Sequence, residues 1–300
     1  TANGSTTVTV TDANGQYTDG DFVTFSNASA SGGLTLNGEF QITFSSGNTY
    51  TITAASAATS TATGGGTVTA TYQINSGTAT EIPLAGWSAG TWGESTWGNG
   101  GSSAESLRVW SQGNFGEDLI FGHRSSPIYF WDASENDISL ENPATLLSAE
   151  SGASNVPTVQ NIILVSDINR FVFCFGANTL GTTTQDPMLI RWSDQENATN
   201  WTPAATTQAG DLRLSRGSEI VAAEQTRQEL LVWTDFSVYS LQYVGAPAVW
   251  AAQLVGENSS IVSQNSVAVA DNVAYWFGKD KFYMYDGGVK VLPCDVKRYI

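Results

Sequence analysis

The feature that most constrains the fold of this chain is a hairpin pattern that occurs four times in its second half. Each copy has an apolar strand, a polar turn and a second strand that ends in an aromatic residue beside a turn residue. The copies span residues 119–132, 171–194, 230–243 and 274–287. Short apolar runs bounded by turn residues are typical of strands in antiparallel sheets. The pattern predicts a repetitive all-β fold.

The spacing of the hairpins indicates the kind of repeat. The aromatic anchors Trp131, Trp192, Tyr239 and Tyr285 follow one another at intervals of 61, 47 and 46 residues. The last two intervals match the blade of a β-propeller, which takes about 40 to 50 residues. We interpret residues 135–157, rich in Asn, Ser and Glu, as a surface insertion that lengthens the first interval.

Further apolar runs flank the last two hairpins, at 220–223 and 249–254 and at 267–269 and 289–292. Each repeat therefore has room for four strands. Four four-stranded blades do not usually close a ring. We predict that residues 105–300 form a β-propeller-like domain of four-stranded blades that is incomplete; a pair of stacked sheets is the alternative.

Residues 1–80 have a different texture. Short alternating runs at 6–10, 41–44 and 68–74 are separated by turn signals such as Gly47-Asn48. Closely spaced short strands of this kind favour a small β-sandwich module at the N-terminus.

Residues 81–104 form a junction rich in Trp and Gly. Trp87, Trp92 and Trp97 recur every five residues, each beside a glycine. We interpret the rings as a seal between two domains. Stacking on sugars or bases is the alternative, since aromatic faces suit both.

The charge balance limits the classes of partner. The chain has 28 acidic and 12 basic residues and a net charge of −16. That balance opposes tight, sequence-independent binding of nucleic acid, which depends on Lys and Arg against phosphate. It is compatible with a surface past which DNA slides, and solubility alone would also explain it.

No catalytic, cofactor or metal site is predicted. The one histidine, His123, falls in the turn of the first hairpin, without a Ser-His-Asp arrangement around it. Cys174 lies in an apolar run and is expected to be a buried, unreactive thiol. With Cys294 it makes neither a disulfide framework nor a zinc site. No run of about 18 apolar residues suggests a membrane span.

Acidic residues at the ends of the repeated strands need an explanation. They are Asp132 with Glu135, Asp194 with Glu196, and Asp286 alone. Their equivalent positions are typical of acids that cap turns. A pair of glycosidase carboxylates is the alternative.

One stretch near the N-terminus resembles a calcium loop in composition. It contains Asp12, Asn14, Asp19 and Asp21 but lacks the distal bidentate Glu of an EF-hand. Two hairpin turns would explain the same residues, and calcium binding stays open.

The chain begins at Thr1 rather than Met and ends within a hydrophobic pattern. We expect it to be a segment of a longer protein.

The most specific sequence motifs lie between residues 186 and 299. Residues 186–194 read Asp-Pro-Met-Leu-Ile-Arg-Trp-Ser-Asp, and residues 200–203 read Asn-Trp-Thr-Pro. With 229–235, 243–247 and 278–288, these segments resemble the tail nozzle proteins of short-tailed bacteriophages, also called tail tubular or tail hub proteins. The Trp-Gly stretch is similar to the one that precedes the propeller in that family.

The resemblance implies a structural virion protein of the phage tail rather than an enzyme. It implies six copies around the tail axis, below a ring of adaptor subunits, with fibres or spikes held outside. DNA would pass through the lumen during ejection, without sequence-specific binding and without stable membrane insertion. We expect acidic residues to cluster on that lumen.

Two rival functions come from other classes. A carbohydrate-binding adhesin would depend on Trp92 or Trp97, and a propeller hydrolase would depend on Asp132 or Asp194. The first would show in glycan binding and the second in an activity lost on changing either acid.

Overall fold

The computed structural model describes residues 1–13, 15, 17–77, 108–134 and 143–294. Within these residues the regular structure is β-strand, apart from two three-residue 3-10 helices. Six antiparallel sheets of three or four strands account for it. The prediction of an all-β chain is confirmed.

The chain divides into two compact units, Thr1–Arg108 and Val109–Ile300, called unit 1 and unit 2 below. The predicted module boundaries at 80 and 104 lie outside the described residues and stay predictions. Among the described residues, no helix has the length and apolar character that crossing a bilayer requires.

The described part of unit 1 contains two three-stranded sheets, with strand orders β1-β5-β4 and β3-β2-β6. The strands are β1 (Thr7–Thr11), β2 (Phe22–Ser26), β3 (Gly38–Gln41), β4 (Thr43–Ser46), β5 (Thr49–Thr53) and β6 (Thr69–Gln73). Val8 and Ile52 from one sheet share a single apolar cluster with Val23 and Phe25 from the other. Alternate residues of β2 and β5 are buried, because only one face of each sheet turns inward. The two sheets thus enclose one core, as in a small β-sandwich.

The strand predicted at 41–44 is wrong as a single element. β3 ends at Gln41 and β4 begins at Thr43, and the two belong to different sheets. Ile42 lies at the crossover and is 1% exposed. Its N–H donates to the Asp21 carbonyl at 2.7 Å and its carbonyl accepts from Gly20 at 2.9 Å. The chain therefore changes sheets at Ile42 while keeping its side chain in the core.

The predicted turn at Gly47-Asn48 joins β4 to β5 as a two-residue loop. Gly47 has φ +54°, in the left-handed region that such loops need and that glycine adopts without a Cβ clash.

A cluster of tyrosines connects the two sheets of unit 1. The Tyr72 hydroxyl on β6 donates to Asp12 Oδ2 at 2.6 Å and lies 3.1 Å from the Tyr50 hydroxyl on β5. The Tyr17 ring packs against both, with ring centroids 4.4 Å and 5.3 Å away. Burial raises the pKa of Tyr50 to about 12 and also raises the pKa of Tyr72, where the hydrogen bond to Asp12 adds to it.

The described residues of unit 2 form four four-stranded sheets, each built from consecutive strands, which we call blades 1 to 4. Blade 1 has β7 (Trp110–Phe115), β8 (Asp118–His123), β9 (Tyr129–Trp131) and β10 (Thr145–Leu146). Blade 2 has β11 (Ile162–Ser166), β12 (Phe171–Phe175), β13 (Leu189–Trp192) and β14 (Gly210–Arg213). Blade 3 has β15 (Ile220–Gln225), β16 (Leu230–Thr234), β17 (Ser237–Gly245) and β18 (Val249–Glu257). Blade 4 has β19 (Val267–Ala270), β20 (Val273–Phe277), β21 (Phe282–Tyr285) and β22 (Val289–Leu292).

The four predicted hairpins are the two inner strands of the four blades, so those predictions are confirmed. The apolar runs predicted to flank the third and fourth hairpins are β15, β18, β19 and β22. The insertion predicted at 135–157 is wrong for its described part. There β10 completes blade 1 by pairing with β9, and Leu147 and Val156 are buried; 135–142 lie outside the described residues.

The second strand of blade 2 is buried on both faces. Phe171, Phe173 and Phe175 pack into a cluster shared with blade 3, whereas Val172 and Cys174 pack into a cluster shared with blade 1. This alternation explains why β12 is a continuous apolar run.

The second strand of blade 3 follows the same rule. Leu230 and Val232 face blade 2, and Leu231 and Trp233 face blade 4. The rings of Trp233 and Trp276 meet at this second interface with centroids 5.5 Å apart. Continuous apolar strands are therefore the contacts that hold neighbouring blades together.

Truncating the aromatic centre of the blade 2–blade 3 interface should destabilise unit 2. Phe173 is fully buried and its ring meets Trp250 edge to face, with centroids 4.9 Å apart. We expect Phe173→Ala to lower the free energy of unfolding by about 3–5 kcal/mol, measured by urea denaturation. Ile168→Ala, at a turn residue that is 59% exposed, should change it by less than about 0.5 kcal/mol. Equal effects of the two changes would contradict the assigned interface.

The tyrosine cluster predicts alkaline sensitivity. Tyrosines of the unfolded chain ionise near pH 10, whereas the pKa of Tyr50 in the folded chain is about 12. Between these values the unfolded state loses its proton first, so stability falls as pH rises. Tyr72→Phe should make this fall shallower and cost about 1 kcal/mol at pH 8, where a hydrogen bond is lost. Urea unfolding at pH 8, 10 and 11 measures both effects, with the exposed Tyr275→Phe as control; identical slopes for the two variants would refute the assignment.

Candidate functional site

The first strands of all four blades line one cavity of about 900 Å³. Its walls include Ser111–Asn114 of β7, Ile162–Val165 of β11, Ala223–Gln225 of β15, and Val267 and Val269 of β19. In propellers the innermost strands surround a central channel in the same way. The four blades are thus arranged around a common centre, and a closed ring is not seen in the part of the chain that the structure describes.

The rim of the cavity carries polar side chains from turns and strand ends. Three are acidic (Asp167, Glu224 and Asp271) and one is basic (Arg227). The others are mainly amides: Gln112, Asn114, Gln225, Gln264, Asn265 and Asn272.

Two of these amides connect neighbouring blades. The N–H of Asp167, in blade 2, donates to Gln225 Oε1, in blade 3, at 3.3 Å. The N–H of Arg227 donates to Asn272 Oδ1, in blade 4, at 2.9 Å. Backbone donors of blades 2 and 3 are thereby satisfied by side chains of blades 3 and 4 around the cavity.

Glu224 is one of the three acids that line the cavity. It lies on β15 between Ala223 and Gln225, and burial raises the pKa of its carboxyl group. Sequence reasoning missed it, because the predicted strand ended at Ala223. Glu224 follows the buried Ala222 by two residues, which places both on the same face of the strand, and this spacing was the available signal.

The cavity can offer hydrogen bonds and the Glu224 carboxyl group, whose pKa is raised. Its hydroxyl residues Ser111 and Thr226 donate to the carbonyls of Gly122 and Glu229, at 3.5 Å and 2.9 Å. Within the described ranges, no three of His, Cys, Asp or Glu are grouped so that they could hold a metal ion. The geometry suits a water-filled or polar-solute space.

The strand-end acids are engaged in their own turns. Asp132 Oδ1 accepts from the N–H and the hydroxyl of Ser134 at 2.8 Å and 2.6 Å. Asp194 Oδ1 accepts from the N–H groups of Gln195 and Gln208 at 3.0 Å and 2.7 Å. These contacts are those of turn-capping carboxylates.

The other strand-end acids with described positions do not pair with Asp132 or Asp194. Asp286 pairs with Lys290 at 2.5 Å on the surface, and this contact lowers the pKa of its carboxyl group. Glu196 is exposed at a left-handed turn position with φ +56°. Glu135 lies outside the described residues, as do Trp87, Trp92 and Trp97.

His123 is the last residue of β8 rather than a turn residue. Its Nδ1 lies 2.9 Å from the Arg124 carbonyl, and its ring meets Trp110 edge to face at 5.2 Å. Cys174 is fully buried, which raises the pKa of its thiol, as an unreactive core cysteine requires. Cys294 is half-buried.

The acidic stretch at 12–21 links β1 to β2 across the two sheets, so its explanation as two hairpin turns is wrong. The carboxylate of the buried Asp21 accepts from the N–H of Asn75 at 3.0 Å. It also accepts from the N–H and hydroxyl of Thr18 at 2.9 Å and 2.7 Å. With Asp12 bound to Tyr72, both acids hold the connection in place; Asn14 lies outside the described residues.

Neutralising Glu224 should stabilise unit 2 at neutral pH. A carboxyl whose folded pKa is raised adds stability below its unfolded pKa and loses it as pH rises through the folded value. We therefore expect Glu224→Gln to raise the urea midpoint more at pH 7 than at pH 4. Glu117→Gln, at the exposed turn between β7 and β8, is the matched charge control. A midpoint gain of the same size at both pH values would contradict the buried carboxylate.

Comparison with known proteins leaves the family of this chain open. No protein-family model matches it, and no curated protein matches it. Among solved structures, it is similar to the phage phi92 endosialidase, at 14% sequence identity and a TM-score of 0.31. The match covers 92% of this chain and 44% of the endosialidase chain. The chain thus spans less than half the length of that neighbour.

Proposed function

We propose that this chain is a structural part of the virion of a short-tailed bacteriophage, within the tail nozzle. Six copies surround the tail axis below an adaptor ring, conduct DNA during ejection and hold fibres or spikes outside. One observation carries the proposal. The sequence segment 186–203, which resembles the nozzle proteins, consists of residues that pack and cap blade 2.

Both tryptophans of that segment support the fold of the blade. Trp192 on β13 is buried in the cluster shared with blade 3, and its Nε1 donates to the Gln208 carbonyl at 2.8 Å. Trp201 is buried against blade 1, and its Nε1 donates to the Ala198 carbonyl at 2.8 Å. A sequence motif whose residues pack in this way is typical of a structural repeat rather than of a catalytic site.

The acids of the same segment have structural partners as well. Asp186 pairs with Arg213 of β14 at 2.6 Å and accepts from the N–H of Met188 at 3.0 Å. Asp194 closes the turn after β13. The residues that carry the resemblance therefore have roles in packing, ion pairing and turn capping, which suits a structural protein.

The net charge of −16 suits a wall for DNA. Each Lys or Arg that met a phosphate would add salt-dependent affinity and slow passage. A lumen lined by acidic residues would instead repel the duplex and leave it free to slide.

The nozzle proposal predicts where the chain lies in a particle. Gold-labelled antibodies against the chain, applied to virions that carry it, should mark the end of the tail that is distal to the head. Particles from which the tails have been removed serve as control and should lose the label. Label on the head, or label that follows detached fibres, would reject the nozzle assignment in favour of another virion part.

Cryo-electron microscopy of the same tails tests the stoichiometry and the lumen. We expect sixfold density at the tail tip with acidic side chains facing the channel. A neutral or basic channel would contradict the proposed acidic lumen. A single copy per particle would contradict the proposed role as a conduit for DNA.

A further inference from the structure

Blade 2 contains a buried arginine without a carboxylate partner among the described residues. Arg191 lies in the middle of β13 and is 3% exposed. Its neighbours in register are Cys174 on β12 and Asp211 on β14. None of the three ion pairs in the described part of the chain includes it, and Asp211 is exposed.

The contacts of the Arg191 guanidinium are with neutral groups. Nη2 donates to the Asn155 carbonyl at 2.6 Å, and Nη1 donates to the Asn178 carbonyl at 3.4 Å. A guanidinium carries five N–H donors and keeps its charge in proteins. Burial lowers the pKa of this group, which reflects the cost of holding a cation away from water. Buried charges are ordinarily paired, so Arg191 lacks its usual complement.

Arg191 also lines an open pocket of about 620 Å³. Hydroxyl side chains make up much of the wall: Ser148, Ser154, Thr158, Thr182, Thr183 and Thr184. The pocket thus combines one fixed positive charge with many groups that can both donate and accept hydrogen bonds.

The buried Asn178 connects the two segments of the pocket wall that contain Thr158 and Thr182. Its Oδ1 accepts from the N–H of Thr158 at 2.9 Å, and its Nδ2 donates to the Thr182 carbonyl at 2.6 Å. The wall is therefore preorganised around the guanidinium, which lowers the entropy cost of binding a ligand.

We propose that this pocket binds the carboxylate of a small hydroxylated anion, a sugar acid. The Arg191 guanidinium pairs with the carboxylate, as planar forks do, and the Ser and Thr hydroxyls bond the ligand hydroxyls. One cation matches a monoanionic carboxylate better than a doubly charged phosphate. The site goes beyond the nozzle role and does not depend on it.

Calorimetric titration of the full chain tests the ligand class. The probes are glucuronate, glucose, acetate and inorganic phosphate at equal ionic strength. We expect glucuronate to bind at least about tenfold more tightly than glucose, which lacks the charge, or acetate, which lacks the hydroxyls. Phosphate binding as tightly as glucuronate would overturn the carboxylate assignment, and no heat with glucuronate up to tens of millimolar would overturn the site.

Variants then test the residue. Arg191→Gln should weaken glucuronate binding by at least about tenfold, whereas Arg213→Gln, which removes an exposed cation of the adjacent strand β14, should leave it unchanged. Equal losses in the two variants would show that net charge alone is responsible and would overturn the role of Arg191.

A second variant keeps the test valid if Arg191→Gln fails to fold. Thr183 is exposed on the pocket wall, so Thr183→Asp places a competing carboxylate there while leaving Arg191 intact. We expect it to fold and to lose glucuronate binding, while Thr183→Asn keeps most of it. Unchanged affinity in Thr183→Asp would contradict the pocket as the binding site.

Discussion

Unit 2 depends on the burial of its second strands on both faces. In β12, phenylalanines at alternate positions face blade 3, and the residues between them face blade 1. A single sheet leaves such a strand half covered by water, at a cost of about 25 cal/mol for each Å² of apolar surface. Each blade is therefore stable only against its neighbours, and the same contacts place the first strands around one cavity.

The hairpins could be predicted because their inner strands are apolar and bounded by turn residues. The outer strands of blade 1 could not, since β7 reads Trp-Ser-Gln-Gly-Asn-Phe and β10 has two residues. The crossover at Ile42 is also invisible, because a strand that changes sheets keeps its alternation. The cavity acids stand far apart in sequence and meet only through blade packing. Arg191 reads as a surface residue until the neighbouring strand β12 is seen to be buried on both faces.

The acidity of the chain has a structural origin beside any role with DNA. Asp132 and Asp194 close the turns at the ends of β9 and β13, and Asp235 accepts from the N–H and hydroxyl of Ser218, both at 2.7 Å. A carboxylate satisfies backbone donors that would otherwise need water. A protein with many tight turns thus acquires negative charge through its architecture. Few basic residues offset that charge. A small number of Lys and Arg residues is the feature that would ease the passage of DNA.

The two units differ in how far apart their paired strands lie along the chain. Every blade is a meander of consecutive strands, whereas β1 pairs with β5 and β2 pairs with β6 across 38 to 51 residues. Closing such loops costs chain entropy before any contact is gained, and folding slows as contact order rises. The sheet β3-β2-β6 is not complete until β6 has been made, and β3 and β4 must enter different sheets on either side of Ile42. During synthesis, the second sheet of unit 1 would have to wait for β6, while each blade of unit 2 could pack onto the blade before it as the chain leaves the ribosome.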